Sequence, residues 1–291
     1  MANQHVGSLL LQKAQARRGL MVAGAANALT ARLIQQLGFE AVYLTGAGIT
    51  NTFYGLPDLG FISLNDLAQH TAATRDAVEL PIIVDADTGF GNALNVRHAV
   101  RTLERAGANA IQLEDQVMPK KCGHFDGKAV IPLAEAVSKI KAAVDARAQE
   151  DFLVIARTDA RAVEGIDAAL QRAVRYAEAG ADITFVEAPQ SLDELQRIAK
   201  ELPVPQIVNV VIGGKTPTLS ADEFATMGFG MVLYANAALQ GAVRGMTQAL
   251  NHLRTTGRLE ESSGLVATFA ERQQLVQKNL FDELDRRYSA E

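Results

Sequence analysis

The sequence predicts a (β/α)8 barrel, and three observations carry that prediction. Eight short apolar runs alternate with eight helical patterns along 291 residues. The interiors of those runs, such as IleIleVal at 82–84 and PheLeuValIleAla at 152–156, are continuous rather than alternating in polarity. That is the pattern of strands buried on both faces of a parallel sheet. A short phrase also recurs where helices hand over to strands: LeuGlyPheGluAlaVal at 37–42, AlaGlyAlaAsnAlaIle at 106–111, AlaGlyAlaAspIleThr at 179–184 and MetGlyPheGlyMetVal at 227–232. Glycine at this place supplies a left-handed cap that ends a helix quickly. Eight units without a large insertion favour closure over the alternative, a doubly wound open sheet.

Taken in order, the strands are expected at 20–24, 41–45, 81–85, 110–114, 152–157, 182–187, 205–210 and 230–234. The helices are expected at 27–37, 64–78, 93–106, 133–146, 167–179, 192–201, 220–227 and 237–255. Ser63 ahead of Leu64, and Ser220 ahead of AlaAspGlu, are N-cap candidates that mark two of the starts. After Thr256 a polar stretch leads to an amphipathic segment at 265–288, surplus to eight units. The expected organisation is therefore a barrel over 1–256 and a helical extension over 257–291 that packs on a neighbouring subunit.

Composition narrows the function classes. With 28 Lys+Arg against 33 Asp+Glu the formal charge is −5, which offers no electrostatic case for nucleic acid. At 48% hydrophobic and 21% charged, the chain suits a globular core and is neither a coiled coil nor a disordered tail. No stretch approaches a membrane span, and the basic, weakly apolar start does not read as a signal peptide. A single cysteine cannot form an internal disulfide and fits a reducing compartment. A cytoplasmic protein acting on small molecules is the expectation.

The chemistry is expected where strands end, because barrel active sites are built from strand C-termini and the loops after them. Those ends read Thr45-Gly46-Ala47-Gly48, Asp85-Ala86-Asp87, Glu114-Asp115, Arg157-Thr158-Asp159, Glu187 and Asn209. Asp85, Asp87 and Glu114 form a converging carboxylate set with Arg157 opposite. Hard oxygen donors with few histidines suit Mg²⁺, or Mn²⁺, rather than Zn²⁺. The plainer alternative is that the two aspartates cap the helix near Asn95. Arg157 fits either a structural ion pair at the mouth or bidentate capture of a substrate carboxylate. The Thr45–Gly48 segment is either a tight turn or a place where backbone N–H groups meet an anionic oxygen. Thr88-Gly89-Phe90-Gly91-Asn92 lacks the third glycine of a dinucleotide loop.

Cys122 stands in MetProLysLysCysGlyHisPhe, 118–125, after the fourth strand. Lys120, Lys121 and His124 beside it are expected to lower its pKa and make it a usable proton donor or acceptor, with Gly123 allowing the loop to move. His124 supports it or is a plain surface histidine.

With these residues in view, the chain resembles the isocitrate lyase / phosphoenolpyruvate mutase superfamily, in the short branch that includes 2-methylisocitrate and 2,3-dimethylmalate lyases. The resemblance covers nearly the whole chain. It is carried by TyrLeuThrGlyAlaGly (43–48), GlyLeuProAspLeuGly (55–60), AspAlaAspThrGlyPheGlyAsn (85–92), GlnLeuGluAspGln (112–116), LysLysCysGlyHis (120–124) and AlaArgThrAspAla (156–160). LysLysCysGlyHis favours the carbon–carbon lyases over the phosphonate mutases. The resemblance implies that Asp85 is the direct Mg²⁺ ligand, with Asp87, Glu114 and Asp58 around its water shell. It implies that Thr45, Gly46, Ala47 and Arg157 hold the 2-oxo acid portion, and that Cys122 is the proton donor. Glu187, Asn209 and Gly123 would lie against substrate, and Tyr43 is a candidate proton relay. A homotetramer with swapped C-terminal helices is implied as well. Two positions depart from the family pattern: Ile212 stands where related lyases carry an acid, and Gln240 stands where methylisocitrate lyases carry an arginine and so takes that substrate-binding place. Arg272 is an alternative source of that charge. These departures point to a 2-hydroxy dicarboxylate of the alkylmalate type, with Ile212 favouring an alkyl-substituted carbon. The other readings are oxaloacetate decarboxylation or hydrolysis, 2-methylisocitrate cleavage, a carboxyphosphonoenolpyruvate-type mutase and, last, a non-catalytic scaffold.

Overall fold

A computed structural model describes residues 6–289. Eight parallel strands close into a barrel in sequence order, with the last pairing to the first. They are β1 (Leu20–Ala25), β2 (Val42–Leu44), β3 (Ile82–Asp85), β4 (Ala110–Glu114), β5 (Leu153–Thr158), β6 (Ile183–Val186), β7 (Gln206–Asn209) and β8 (Met231–Tyr234). Closure follows from the uninterrupted βα alternation and leaves no open sheet edge.

The chain divides into two compact units between Ala237 and Ala238. Within the first, the helices are α1 (Val6–Gln15), α2 (Ala28–Gln36), α3 (Gly46–Ile49), α4 (Leu64–Ala77), α5 (Ala93–Arg105), α6 (Leu133–Ala146), α7 (Ala160–Glu164), α8 (Ile166–Glu178), α9 (Leu192–Glu201) and α10 (Ala221–Met227). Gly38, Gly107, Gly180 and Gly228 have φ of 84°, 102°, 101° and 103°, so the recurring handover phrase is a backbone requirement. Ser63 and Ser220 open α4 and α10 with reciprocal capping boxes to Asp66 and Glu223.

Three elements lie outside the sequence expectation: α1, α3 with the π-helical turn Thr50–Tyr54 behind it, and α7. The first is structural. Leu10 and Ala14 are fully buried among the inward-facing strand residues Val22, Ala110, Leu153 and Met231, and so plug one end of the barrel.

The second unit holds α11, which begins at its boundary (Ala237–Thr256), a 3-10 turn (Glu261–Ser263), α12 (Phe269–Leu275) and α13 (Lys278–Tyr288). The amphipathic stretch expected as one segment at 265–288 is thus two helices. Gln277 adopts φ 56°, and the Val276 N–H closes α12 on the Arg272 carbonyl, ending the first before the second begins. Val243, Met246, Leu250, Leu253, Phe269 and Phe281 are large apolar side chains left exposed. None of the described helices is long and apolar enough to cross a membrane.

Side chains alternate along each strand, and this alternation builds the site. On β4 the inward series is Ala110, Gln112, Glu114; on β5 it is Leu153, Ile155, Arg157; β6 extends to Ile183, Phe185, Glu187. Each series is apolar at the bottom and polar at the mouth. The outward series packs against the helices. Phe224 on α10 belongs to that layer, fully buried and edge-on to Phe229 at 5.7 Å. Phe224→Ala is expected to cost about 3–5 kcal/mol and to lower the urea midpoint measured by circular dichroism.

Candidate active site

The strand-end series converge on a cavity at the barrel mouth lined by residues that include Tyr43, Thr45, Ala47, Asp58, Asp85, Arg157, Glu187 and Asn209. The loop after β4 contributes Lys120, Lys121, Cys122, Gly123 and His124, and Phe185, Val211, Leu233 and Ala235 form an apolar wall. A larger groove between α9 and α10, lined by Leu192, Leu219, Asp222 and Met227 among others, gathers no comparable set of buried ionisable groups.

Asp85 and Asp87 meet beside Gly46. A Cβ there would lie 3.4 Å from Asp85 Oδ2 and 3.4 Å from Asp87 Oδ1, so a glycine lets the chain pass close to both carboxylates. Asp87 occupies the left-handed region at φ 46°, a costly backbone state for a non-glycine residue that turns its side chain back toward Asp85. Its N–H donates to Asp85 Oδ1 at 3.3 Å. The aspartates do not cap a helix: Asn92, in a box with Asn95, caps α5. The Gly46 N–H donates to Asp85 Oδ2 at 3.3 Å and Thr45 Oγ1 accepts from the Gly48 N–H at 3.2 Å. The expected anion contact by the Gly46 N–H is therefore spent on Asp85, because β2 and β3 are neighbours.

Lys120 governs the same carboxylates. Its ammonium, with its side chain only 4% exposed, pairs with Asp58 and lies 2.9 Å from Asp87 Oδ1. Burial pushes Asp87 up to about 7; Lys120 opposes this, while Asp85 and Asp58 add to it. Burial likewise raises Glu114 well above the carboxylate range, against the pull of Arg157. Glu114 Oε1 and Asn209 Oδ1 are buried without a hydrogen-bond partner.

Arg157 takes the ion-pair character expected of it at the mouth. Its Nε lies 2.9 Å from Asp159 Oδ2 and 3.4 Å from Glu114 Oε2, and Nη1 lies 3.3 Å from Glu187 Oε2. Its carbon Cζ sits 5.3 Å above the Phe185 ring. Burial works against its charge, but Asp159, Glu187 and Glu114 outweigh burial and hold the guanidinium charged. Glu187 is held below the usual carboxylate range because Arg157 and the His124 hydrogen bond outweigh its burial. His124 Nε2 lies 2.9 Å from Glu187 Oε1, and Nδ1 accepts from the Lys215 N–H at 3.0 Å, so this histidine is a site residue and not a surface one.

Three expectations are corrected, those for Cys122, Tyr43 and Ile212. Cys122 is not made acidic by its lysines: burial raises its pKa, because Lys120 turns to Asp58 and Asp87 while Lys121 donates to the Gly127 carbonyl at 2.9 Å. Tyr43 keeps its proton, since burial and Asp85 push its pKa up well above the phenol range, and its hydroxyl donates to Gln112 Oε1 at 2.7 Å. Gln240 lies on the first turn of α11, in the second compact unit, where it is exposed. Ile212 is 55% exposed, and Val211 takes the place in the wall foreseen for it, because strand-like alternation past β7 turns the neighbouring side chain inward.

Sequence reasoning passed over Gln112 and Lys128, and assigned Lys120 to the Cys122 thiol instead of to the carboxylates. Gln112 had a signal, two residues before Glu114 on the inward face of β4, and its amide donates to Asp85 Oδ1 at 3.2 Å. The lysines sit in a loop without periodicity. Asp115, directly after Glu114, alternates outward instead, where its carboxylate accepts from Thr158, Tyr176 and the Asp159 N–H.

The donor set suits a hard divalent cation. The candidate ligand atoms of Asp85, Asp87, Glu114 and Asp58 are all carboxylate oxygens, Asp87 and Glu114 are raised in pKa, and Glu114 retains an unpartnered oxygen. Among the described residues no three His, Cys, Asp or Glu side chains close on one point as a full ligand set. Mg²⁺ keeps several waters and takes one or two carboxylates, donors of the type that Asp85 and Asp87 offer.

Comparison with known proteins extends this picture. Residues 11–254 match the family model for phosphoenolpyruvate phosphomutase. The chain is 41% identical over 273 residues to a 2,3-dimethylmalate lyase of Eubacterium barkeri, covering 94% of each. It is 46% identical over 250 residues to a 2-methylisocitrate lyase of Aeropyrum pernix, covering 86% of this chain and 80% of that one. A crystal structure of a 2,3-dimethylmalate lyase, described as a PEP mutase/isocitrate lyase superfamily member, superposes with TM-score 0.91 at 31% identity, covering 98% and 96%. A phosphonopyruvate hydrolase in complex with oxalate and Mg²⁺ superposes with TM-score 0.86 at 31% identity, covering 97% and 98%.

The raised Asp87 pKa makes a stability prediction. A carboxylate with an ordinary pKa of 3.8 that reaches about 7 when folded binds its proton more tightly in the folded state. Its contribution favours folding at low pH and is progressively lost as pH rises from about 4 to 7. Glu187 and Asp159, lowered in the fold, act in the opposite sense only below that window. In EDTA the melting temperature should therefore fall between about pH 4 and 7. With Mg²⁺ the fall should flatten, since a cation favours the ionised forms. Scanning calorimetry at both conditions checks this; superimposed curves would contradict the assignment.

Proposed function

The chain belongs to the isocitrate lyase / phosphoenolpyruvate mutase superfamily, and from that premise we propose that it is a Mg²⁺-dependent carbon–carbon lyase acting on a 2-hydroxy dicarboxylate of the 2,3-dimethylmalate type. The products are pyruvate, or another 2-oxo acid, and a second carboxylate. The observation that carries the reading is Cys122, a thiol that holds its proton and lines a cavity also lined by Asp85, Arg157 and an apolar wall.

Asp85 with Asp87 would hold the cation, and Glu114 and Asp58 would act through its waters. Mg²⁺, when bound, supplies Lewis-acid stabilisation of negative charge on oxygen. Arg157, oriented in advance by Asp159, Glu114 and Glu187, binds the 2-hydroxy acid end together with Thr45 and Ala47. Since Tyr43 keeps its proton, a strand-end carboxylate takes the proton of the substrate hydroxyl as the carbonyl forms. The electrons of the breaking carbon–carbon bond pass to the departing fragment, and Cys122 Sγ delivers a proton to its carbon. His124 and Glu187 fix the loop that brings the thiol there.

Substrate class follows from charge and shape. Each basic side chain lining the cavity is already engaged: Lys120 with Asp58 and Asp87, Lys121 with a carbonyl, His124 with Glu187, and Arg157 with Asp159 and Glu187. A third carboxylate would lie against Phe185, Val211, Leu233 and Ala235, at a cost of roughly several kcal/mol when unpaired. An alkyl group gains there instead. The exposed apolar side chains of α11, α12 and α13 support a tetramer in which these helices are exchanged between subunits. The single cysteine supports a cytoplasmic setting.

Two outcomes are expected. Cys122→Ser lowers kcat by about 10²–10⁴-fold while KM changes little, because a hydroxyl is a far poorer acid; parent-rate cleavage would remove the proton-donor role. In a panel of 2,3-dimethylmalate, oxaloacetate and 2-methylisocitrate read by 2-oxo acid formation (acetate release for hydrolysis of oxaloacetate), kcat/KM is highest for dimethylmalate. It should exceed methylisocitrate by about tenfold or more, the discrimination available from an unpaired charge. The reverse order would assign the chain to methylisocitrate.

A further inference from the structure

Lys128 is a buried cation of the mouth with no part in the chemistry above. Phe125, Asp126 and Gly127 form an exposed crown, and the Lys128 side chain turns beneath it with 1% of its surface exposed. Its ammonium makes two contacts. One is to Asp159 Oδ1 at 2.9 Å, at the end of β5; the other is to the Gly123 carbonyl, one residue after Cys122. Asp159 is itself immobilised. Its N–H donates to Asp115 Oδ1 at 2.9 Å, and its carboxylate accepts from Arg157 Nε at 2.9 Å and Nη2 at 3.1 Å.

The peptide that Lys128 grips has no slack. A Cβ on Gly123 would fall 2.4 Å from Arg157 Nη2 and 2.5 Å from Glu187 Cγ, so the loop backbone rests directly on the Arg157–Glu187 pair. Burying a lysine is costly unless its charge is met, and Asp159 already has a cation in Arg157. Lys128 is thus the second cation on Asp159, and what it adds that Arg157 does not is a bond between barrel and loop.

We propose that Lys128 is a positioning residue that latches the Cys122 loop onto the barrel by bridging the Gly123 carbonyl and the Asp159 carboxylate. The latch sets where the thiol stands over the cavity. It does not touch substrate, and its consequence for turnover rests on the reading of Cys122 as proton donor.

The single cysteine of the chain makes the test direct. Lys128→Met keeps the length and removes the ammonium. The rate at which iodoacetamide alkylates Cys122 in the ligand-free full-length protein is expected to rise about tenfold or more, reporting local opening of the loop. The sign discriminates, because losing a neighbouring cation would by itself lower the thiolate fraction and slow alkylation. With substrate, kcat should fall roughly 10- to 100-fold with a smaller change in KM. Lys128→Arg should restore slow labelling. Should the apolar variant not fold, Lys128→Gln serves in its place, with faster labelling again expected. Labelling at the parent rate in either folded variant overturns the latch. Because labelling needs no turnover, a chain without lyase activity leaves this result standing. A failed latch likewise leaves the Cys122→Ser result standing.

Discussion

Excess negative charge, buried at the barrel mouth, is the constraint on which the rest of the site depends. Asp58, Asp85, Asp87, Glu114, Asp159 and Glu187 meet Lys120, Lys128 and Arg157 in a region almost closed to water. Six carboxylates against three cations leave the ionised state under-compensated. The balance is uneven across the mouth. On the β5–β6 side Arg157 and Lys128 satisfy Asp159 and Arg157 satisfies Glu187, and both carboxylates lie below their ordinary range. On the β3–β4 side Lys120 cannot satisfy Asp87 and Glu114, and both are raised. The deficit therefore falls where a dication would sit.

That asymmetry separates an enzyme from a barrel retained for packing alone. Raising a carboxylate from 3.8 to about 7 costs the ionised fold of the order of several kcal/mol. It is a large share of a typical domain's net stability. Replacing Asp87 by a neutral residue would relieve the cost, as would relaxing its left-handed backbone. Both features fit a site that gives up stability for affinity toward a cation.

The satisfied side serves a different end. Asp115 and its partners hold the Asp159 N–H, Asp159 holds Arg157, and Arg157 holds Glu187, which receives His124. These bonds tie the floor together across β4, β5 and β6. Two loops then settle on that floor: the one after β4 through Gly123 and His124, and the one after β7 through the Lys215 N–H. Gly214 makes this possible, since a Cβ there would come within 2.6 Å of His124 Nδ1. A thiol kept protonated by burial, on a loop fixed in this way, is suited to a single proton delivery.

Much of this was legible in the chain itself, and for a local reason. Strand count, strand order and the four glycine handovers follow from short-range patterning, which needs no knowledge of distant residues. Period-two alternation even points Gln112, Glu114, Arg157 and Glu187 inward and Asp115 outward. What only the tertiary structure decided are pairings between segments far apart in sequence: Lys120 with Asp58, Lys128 with Asp159, His124 with Lys215. Loop residues have no periodicity to aim them, so LysLysCysGlyHis reads as an acidifying cluster although its lysines turn away and burial raises the thiol. The same holds for Ile212, whose exposure depends on how the loop after β7 leaves the barrel. Local sequence determined which groups stand at the mouth; desolvation and long-range pairing, which exist only once the barrel closes, decided their charge.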